Sequence, residues 1–244
     1  MKTTFETEAV LVIDEFLKKD EFALVWNEIQ AEHFHFVHER EWVTAWRLDD
    51  GQPLRGPVYL SHRTDGDRIS PAYPTGKAFD LIIRRIVDIE EHLVPWTGRR
   101  GADWSYFFVR PYIYPSGAGL SWHRDNKHNA TAAFTFYAHP QWNVKWGGEL
   151  LVADASTKDL EFSPSKLYSE EERILGSHFD NSVENDRLLS VGTGQYILPK
   201  ANRLVIVATG IFHCIKKVDP AAGNHVRATV QGVFMYPRKP SEPS

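Results

Sequence analysis

Residues 112–125 decide the fold, and they read YIYPSGAGLSWHRD. The aromatic and β-branched residues before Pro115 predict a β-strand, and the glycines that follow predict a tight turn. A second short strand then leads to His123 and Asp125. In a strand, residues i and i+2 point to the same face, so these two side chains could hold one metal ion together. The stretch therefore predicts a strand-turn-strand unit that ends in a metal-binding pair.

Short strands continue this pattern through the C-terminal half of the chain. From about residue 103, runs rich in β-branched and aromatic residues alternate with turns, which is typical of a β-sandwich or barrel. Residues 154–186 interrupt them with a polar, strand-poor segment, which we expect to be an insertion that could cover a site. The predicted strands are 105–114, 120–122, 131–137, 149–152, 196–198, 204–208, 212–218 and 225–236.

The first hundred residues carry the helical signals. Large apolar residues recur at helical spacing between 22 and 29, after Asp20, which could cap the helix. A second apolar stripe predicts a helix over 76–94, which Pro95 ends. Residues 9–13 predict a strand, and 49–74 read as a loop. We expect one domain, 1–244, with a helical support region at 1–102 and a β core at 103–237.

Composition and charge exclude several classes of function. The formal net charge is −4 and the pI is about 6.3, which argues against a nucleic-acid-binding protein or one that binds an anionic membrane. No apolar run is long enough for a membrane span or a signal-peptide core. A single cysteine, Cys214, excludes an internal disulfide. We therefore expect a cytoplasmic protein with no nucleic-acid or membrane partner.

A third metal ligand must come from outside the 112–125 stretch. His213 follows Asp125 by 88 residues and lies on or beside a late predicted strand. Two histidines and one carboxylate on one face leave three coordination positions open, as in non-haem Fe(II) oxygenases, where they admit a bidentate co-substrate and O2. His123, Asp125 and His213 are therefore the predicted metal ligands.

Two other clusters in the sequence resemble metal sites. His178 and Asp180 form a second His-x-Asp pair, but it lies in the polar segment without an apolar strand around it. His33 and His35, followed by Glu39, resemble half of a cupin motif, but the flanking glycines and a second motif are absent. We therefore favour His123 and Asp125 over both clusters.

A buried arginine is the other group that this chemistry requires. 2-Oxoglutarate chelates Fe(II) through its C1 carboxylate and keto oxygen, so its distal carboxylate projects into the barrel and needs a fixed cation. Arg227 lies 14 residues after His213, on the last predicted strand. Tyrosine hydroxyls could complete the hydrogen bonds of that carboxylate. This order of residues favours a co-substrate role for Arg227.

The ordered set of motifs resembles the 2-oxoglutarate/Fe(II)-dependent oxygenase superfamily, and most of all its prolyl-hydroxylase-like branch. The resemblance covers about residues 104–236 and is carried by the Tyr-Pro-x-Gly-x-Gly turn at 114–119, His-x-Asp-Asn at 123–126, a tyrosine five residues before Trp142, and Gly-Gly-Glu-Leu at 147–150.

The resemblance implies a mainly β protein with N-terminal helices and a double-stranded β-helix (jelly-roll, cupin-like) core. It implies Fe(II), with 2-oxoglutarate and O2 as co-substrates. It also implies three iron ligands, which are the catalytic residues, and three residues that bind the co-substrate: His123, Asp125 and His213 for the iron, and Arg227, Tyr114 and Tyr137 for 2-oxoglutarate.

The implied activity is that of a dioxygenase that hydroxylates, or otherwise oxidises, an unactivated C–H bond. Two departures from the family pattern, an inserted turn at 219–224 and the segment 154–186, argue against transferring a known substrate by analogy. A small molecule such as an amino acid or a natural-product intermediate is favoured. A prolyl-type protein or peptide hydroxylase, and a cupin-like metal enzyme that does not use 2-oxoglutarate, stay open as alternatives.

Overall fold

The computed structural model describes residues 1–37, 46–64, 67–125, 130–159 and 182–236. Four helices are described: α1 (Lys19–Ala31), α2 (Phe79–Asp88), α3 (Glu90–Thr97) and α4 (Ser182–Val191). Thirteen strands are described: β1 (Lys2–Glu6), β2 (Val10–Asp14), β3 (His35–Phe36), β4 (Leu54–Arg55), β5 (Tyr59–Leu60), β6 (Tyr106–Tyr114), β7 (Leu120–His123), β8 (Ala130–Tyr137), β9 (Leu150–Ala153), β10 (Gly194–Ile197), β11 (Leu204–Ala208), β12 (His213–Ile215) and β13 (Arg227–Met235).

The strands form two antiparallel sheets. The large sheet has the order β1-β2-β11-β8-β13-β6-β4-β3, with β5 also paired to β6, and the small sheet has the order β10-β9-β12-β7. Apolar residues from both sheets, such as Val205 and Val152, form one buried cluster, so the two sheets pack face to face. The predicted jelly-roll core is confirmed.

The outer face of the large sheet carries the helices. Ile82, Ile83 and Ile86 of α2 are fully buried and belong to the same cluster as Phe136 of β8. Because residues on a strand alternate between faces, the large sheet is apolar on both sides, toward the helices and toward the small sheet. The helices therefore leave the inner face of the barrel available for a site.

The N-terminal half differs from the prediction in three ways. The predicted helix over 76–94 is two helices, broken at Ile89, and Pro95 lies inside α3 instead of ending it. Proline removes only one backbone hydrogen bond there, while burial of Leu93 holds the short helix on the sheet. Asp20 is not a cap, because α1 begins at Lys19 and Glu21 accepts the backbone N–H of Lys18.

Several elements have no sequence signal of their own. The 49–74 region contains β4 and β5, which are two residues each and form because both pair with β6 and β4 also pairs with β3. Strand β1 is exposed along its whole length, so it lacks an apolar alternation. Most of 154–186 lies outside the described residues, and its ends form a 3-10 turn, Ala155–Asp159, and the start of α4.

A search of the described residues finds no helix that is both long enough and apolar enough to cross a membrane. The cytoplasmic location and the division of the chain into regions stay predictions.

Candidate metal and co-substrate site

The structure brings the three predicted metal ligands together. His123 ends β7, His213 begins β12, and the two are register partners in the small sheet. The nearest Asp125 oxygens lie 3.2 Å from Nε2 of His213 and 3.9 Å from Nε2 of His123. All three ligand atoms lie within 4.8 Å of one another, and no other three His, Cys, Asp or Glu residues in the described ranges form such a group.

Asp125 reaches this position by a different route from the one predicted. Strand β7 ends at His123, and Asp125 lies in the bend that follows. Its carboxylate therefore turns toward the histidines because the chain bends, and not because residues i and i+2 share a strand face. The rival His33 and His35 lie away from this group and are exposed, while Glu39, His178 and Asp180 lie outside the described residues.

Backbone carbonyls orient both imidazoles. Nδ1 of His123 lies 2.8 Å from the carbonyl of Ser121, and Nδ1 of His213 lies 3.0 Å from the carbonyl of Ile211. A carbonyl can only accept, so Nδ1 carries a proton in each ring, and Nε2 is the nitrogen left to bind a metal. Such outer hydrogen bonds fix the tautomer that a metal requires.

Burial and charge set the protonation of the group. Burial lowers the pKa of His123 to about 4, and the neighbouring His213 acts in the same direction. Burial opposes ionisation of Asp125, but the hydrogen bond and the attraction of His213, together with His123, outweigh it and lower its pKa to about 2. Asp125 is therefore a carboxylate, and the site presents two nitrogens and one anionic oxygen, a donor set that suits Fe(II).

Arg227 is buried beside the two sheets' contact at Gly148, with its charge only partly satisfied. It is completely buried, and its Nε donates to the carbonyl of Gly148 at 2.8 Å. Within the described ranges, neither Nη1 nor Nη2 has a hydrogen-bond partner. Buried donors are rarely left in this state, so the two nitrogens fit a ligand carboxylate bound in a fork.

Tyr114 and Tyr137 enclose the same position. Both are fully buried, and the Arg227 guanidinium carbon lies 5.1 Å and 4.9 Å from the centres of their rings. Burial raises the pKa of both phenols, so they stay protonated and can donate hydrogen bonds. The Tyr137 hydroxyl makes no hydrogen bond of normal geometry to a described residue, although the nearby Arg227 guanidinium acts to lower its pKa against the effect of burial. The Tyr114 hydroxyl accepts from Nε2 of Gln231 at 3.0 Å.

Strand register explains why these residues meet. Arg227 pairs with Tyr114 across β13 and β6, and Thr229 pairs with Tyr137 across β13 and β8. Gly148 is a further participant whose role the sequence did not reveal. A Cβ on residue 148 would lie 2.9 Å from Cδ of Arg227, and the φ of Gly148 is +72°. Glycine at this position therefore allows the close contact with Arg227. The Gly-Gly-Glu-Leu motif was the available signal.

A turn at 46–51 closes one side of the site, and sequence reasoning missed it. Asp50 accepts a hydrogen bond from the Ser121 hydroxyl at 2.7 Å and its carbonyl accepts from the Gly119 N–H at 2.9 Å, which fixes the turn to β7. The Trp46 ring stacks against Tyr114 at 6.0 Å. This region lacks periodic apolar residues, so only the fold reveals its position.

Three large side chains close to the site motifs in sequence make contacts elsewhere. Trp104 is buried in the helix-side core, and the Trp146 ring stacks on His225 at 4.3 Å. The Arg124 guanidinium lies over the Phe212 ring at 4.8 Å.

Comparison with known proteins agrees with this geometry. The sequence profile of the 2OG-Fe(II) oxygenase superfamily matches residues 109–235, which is more than half of the chain. No curated protein sequence matches the chain significantly.

Several solved structures share the fold at low sequence identity. A Pseudomonas putida prolyl-4-hydroxylase aligns with a TM-score of 0.56 and 14% identity over 94% of both chains. A Trichoplax adhaerens prolyl hydroxylase, in complex with a peptide fragment of the hypoxia inducible factor oxygen degradation domain, aligns with a TM-score of 0.55 and 15% identity over 94% of this chain and 84% of that one. The non-haem α-ketoglutarate-dependent epimerase SnoN of nogalamycin biosynthesis aligns with a TM-score of 0.51 and 13% identity over 93% and 76%.

Proposed function

Because the chain belongs to the 2-oxoglutarate/Fe(II) oxygenase superfamily, we propose that His123, Asp125 and His213 bind its Fe(II), and that it oxidises a C–H bond of a small molecule. The substrate would be an amino acid or a natural-product intermediate. The observation that carries the site assignment is the pairing of a His-Asp-His group with a buried arginine whose two terminal nitrogens have no partner in the described ranges.

Arg227 would bind the distal carboxylate of 2-oxoglutarate. Its Nη1 and Nη2 can donate in parallel to both carboxylate oxygens, and the Tyr137 hydroxyl lies beside them with a proton to donate. The bond from Nε to Gly148 holds the guanidinium in one orientation. This fixed charge would select a dicarboxylate and place its keto-acid end toward the histidines.

The three ligands would supply a rigid open face. Fe(II), 2-oxoglutarate and O2 together supply an oxidant strong enough for an unactivated C–H bond. The protein holds both imidazoles through their Nδ1 hydrogen bonds and presents the Asp125 carboxylate as the single anionic ligand. Its apolar inner walls would exclude water from the reacting groups.

The depth of the site supports a small substrate. The His123 and His213 side chains are only 11% and 9% exposed, so the reacting C–H bond must enter the barrel. A compact molecule can do this whole, whereas a protein would have to present a protruding loop or terminus. The fold is shared with a peptide-bound hydroxylase and with an epimerase, so fold similarity favours neither substrate class.

Succinate release would test the substrate class. We would separate a cell extract by ultrafiltration into a small-molecule fraction and a protein fraction, and add each to enzyme with Fe(II), 2-oxoglutarate and O2. We expect only the small-molecule fraction to raise succinate release, and the Asp125→Ala variant to abolish the increase. Stimulation by the protein fraction alone would contradict the small-molecule assignment and favour a peptidyl hydroxylase.

A further inference from the structure

Arg110 is a second arginine on the inner face of the large sheet. Phe107 and Val109, its neighbours on β6, are buried in the helix-side cluster, whereas Tyr112 and Tyr114 belong to the cluster between the sheets. Since strand residues alternate between faces, Arg110 shares the inner face with the two tyrosines. Its side chain is half-buried, and its Nε atom is fully buried.

No acceptor in the described part of the chain satisfies this side chain. Its Nε lacks a hydrogen-bond partner, and no carboxylate there forms an ion pair with it. Gln231 lies opposite Arg110 in the register of β13, but its Nε2 is directed to the Tyr114 hydroxyl at 3.0 Å and the Thr229 hydroxyl at 3.3 Å. A half-buried cation without a counter-ion is costly unless an anion joins it.

The depth of Arg110 in the barrel follows from a contact between the sheets. Gly148, just before β9, accepts the hydrogen bond from Arg227 at the start of β13, so the two sheets meet there. Val152 lies four residues beyond this contact on the small sheet, and Gln231 lies four residues beyond it on the large sheet. At about 3.3 Å per residue, each is ~13 Å from the contact.

These two positions connect Arg110 to the metal ligands. Val152 is the register partner of His213, and Gln231 is the register partner of Arg110. Both strands run from this contact toward the end where a short loop joins Ala208 of β11 to His213 of β12. Strands in sheets packed face to face run within about 30° of each other, so equal distances from one contact correspond to similar depth. Arg110 therefore lies on the wall that faces His213.

We propose that Arg110 binds a carboxylate of the substrate, and that the substrate is accordingly a small organic acid. The proposal rests on the proposed function and narrows its substrate class. Arg227 would hold the distal carboxylate of 2-oxoglutarate beside Gly148, and Arg110 would hold the carboxylate of the second molecule nearer to the metal ligands. A guanidinium fork binds a planar carboxylate through two parallel hydrogen bonds, which fixes the direction of the acid as well as its charge.

Paired acids and amides would test this assignment. Under argon, with Fe(II) and saturating 2-oxoglutarate, we would titrate hexanoate against hexanamide, phenylacetate against phenylacetamide, and N-acetyl-leucine against its amide. Saturating 2-oxoglutarate keeps Arg227 occupied. The complex of Fe(II) with 2-oxoglutarate has a visible charge-transfer band, and a change in this band reports binding of the added acid or amide. At least one acid should bind tenfold or more tightly than its amide, and Arg110→Met should erase the difference while Arg110→Lys retains part of it.

Arg84→Met is the matched control, since Arg84 is 52% exposed on α2 and pairs with Glu21 away from the barrel. It should leave the preference for acids intact. Equal binding of acid and amide in every pair would overturn the proposal. If Arg110→Met needed a higher 2-oxoglutarate concentration than the wild type to form the band, Arg110 would bind the co-substrate. That result would also overturn the proposal.

Two further measurements separate this role from others. Without added acid, Arg110→Met should unfold at the same temperature as the wild type, because no partner in the described ranges loses a hydrogen bond. A lower unfolding temperature would show that Arg110 has a structural role and would overturn the proposal. If the wild type showed no band before any acid was added, the proposed function itself would be wrong, and this result is distinct from a failure of the Arg110 proposal.

Discussion

Arg227 is the residue whose replacement best separates binding from folding. Two of its three guanidinium nitrogens lack a partner within the described ranges, so Arg227→Met removes a buried charge and only one hydrogen bond, to Gly148. Replacing a poorly satisfied buried charge with an apolar side chain of similar size is often neutral or stabilising. We therefore expect the variant to unfold at or above the wild-type temperature.

The same variant should lose its response to 2-oxoglutarate. Truncating one partner of a buried charge pair costs about 2–5 kcal/mol, so binding should weaken by about 100-fold. Thermal unfolding with and without 2-oxoglutarate, in the presence of Fe(II), checks both parts. An unchanged 2-oxoglutarate-dependent shift in Arg227→Met would contradict the assignment.

Asp14 gives the residue-scale prediction for pH. Its buried carboxylate accepts from Arg203 Nε at 2.6 Å and from Lys200 Nζ at 2.7 Å. Burial alone would raise the pKa of Asp14, but these hydrogen bonds and charges outweigh it, so the pKa is lowered. A group with a lowered folded-state pKa stabilises the fold above its unfolded pKa, about 3.9, and loses that contribution as pH falls through the folded value.

Asp14→Asn should therefore cost about 3 kcal/mol of unfolding free energy at pH 7, since it leaves two cations without their carboxylate. The difference from wild type should shrink below about pH 4, where Asp14 of the unfolded wild-type chain begins to gain a proton while the folded carboxylate is still ionised. Urea unfolding at several pH values measures both. Asp88→Asn, at an exposed position of α2, should change stability by less than about 0.5 kcal/mol. If the difference in unfolding free energy between Asp14→Asn and the wild type stayed constant from pH 7 to pH 3, the ion-pair account would be refuted.

At the scale of the element, β13 depends on one glycine. A Cβ built on Gly232 would lie 1.9 Å from the carbonyl oxygen of Phe108 and 2.4 Å from the ring of Phe134, so the central strand of the large sheet has no room for it. Gly232→Ala should lose more than about 3 kcal/mol of unfolding free energy, or fail to fold. Gly76→Ala isolates backbone strain, because Gly76 has φ +78° and open space around its Cβ position. It should cost only about 1 kcal/mol. Equal losses of unfolding free energy in the two variants would contradict this prediction, because they would show that the strand relieves the clash at Gly232.

The helices and the edge strands show which features of secondary structure could not be predicted from the sequence. The apolar stripe correctly located the helical region around Ile82 and Ile86, because its spacing reflects burial against the sheet. The break at Ile89 and the helical position of Pro95 depend on how Leu93 packs, which spacing does not encode. Strands β4 and β5 are two residues each and form through pairing with β6 and, for β4, also with β3. Strand β1 is exposed on every residue, so none of the three carries an apolar pattern.

At the scale of the whole molecule, the core strands and the metal group were predictable for the same reason. Buried strands need runs of β-branched, aromatic or other apolar residues, and a His-x-Asp pair followed by a late histidine is a sparse pattern that few chemistries share. The site residues were predicted one by one, but their packing was not. The bend that brings Asp125 to the histidines, the contact of Gly148 with Arg227, and the turn that Asp50 fixes to Ser121 all join segments distant in sequence.

The measurement that tests the central claim most directly is the visible charge-transfer band of 2-oxoglutarate bound to Fe(II), recorded under argon on metal-free protein after both are added. We expect a band in the wild type and in His33→Ala, a variant of an exposed histidine outside the group. His123→Ala should lose the band, and Arg227→Met should need about 100-fold more 2-oxoglutarate to form it. A wild-type protein that binds iron but gives no band would contradict the account and favour a cupin-like metal enzyme that does not use 2-oxoglutarate.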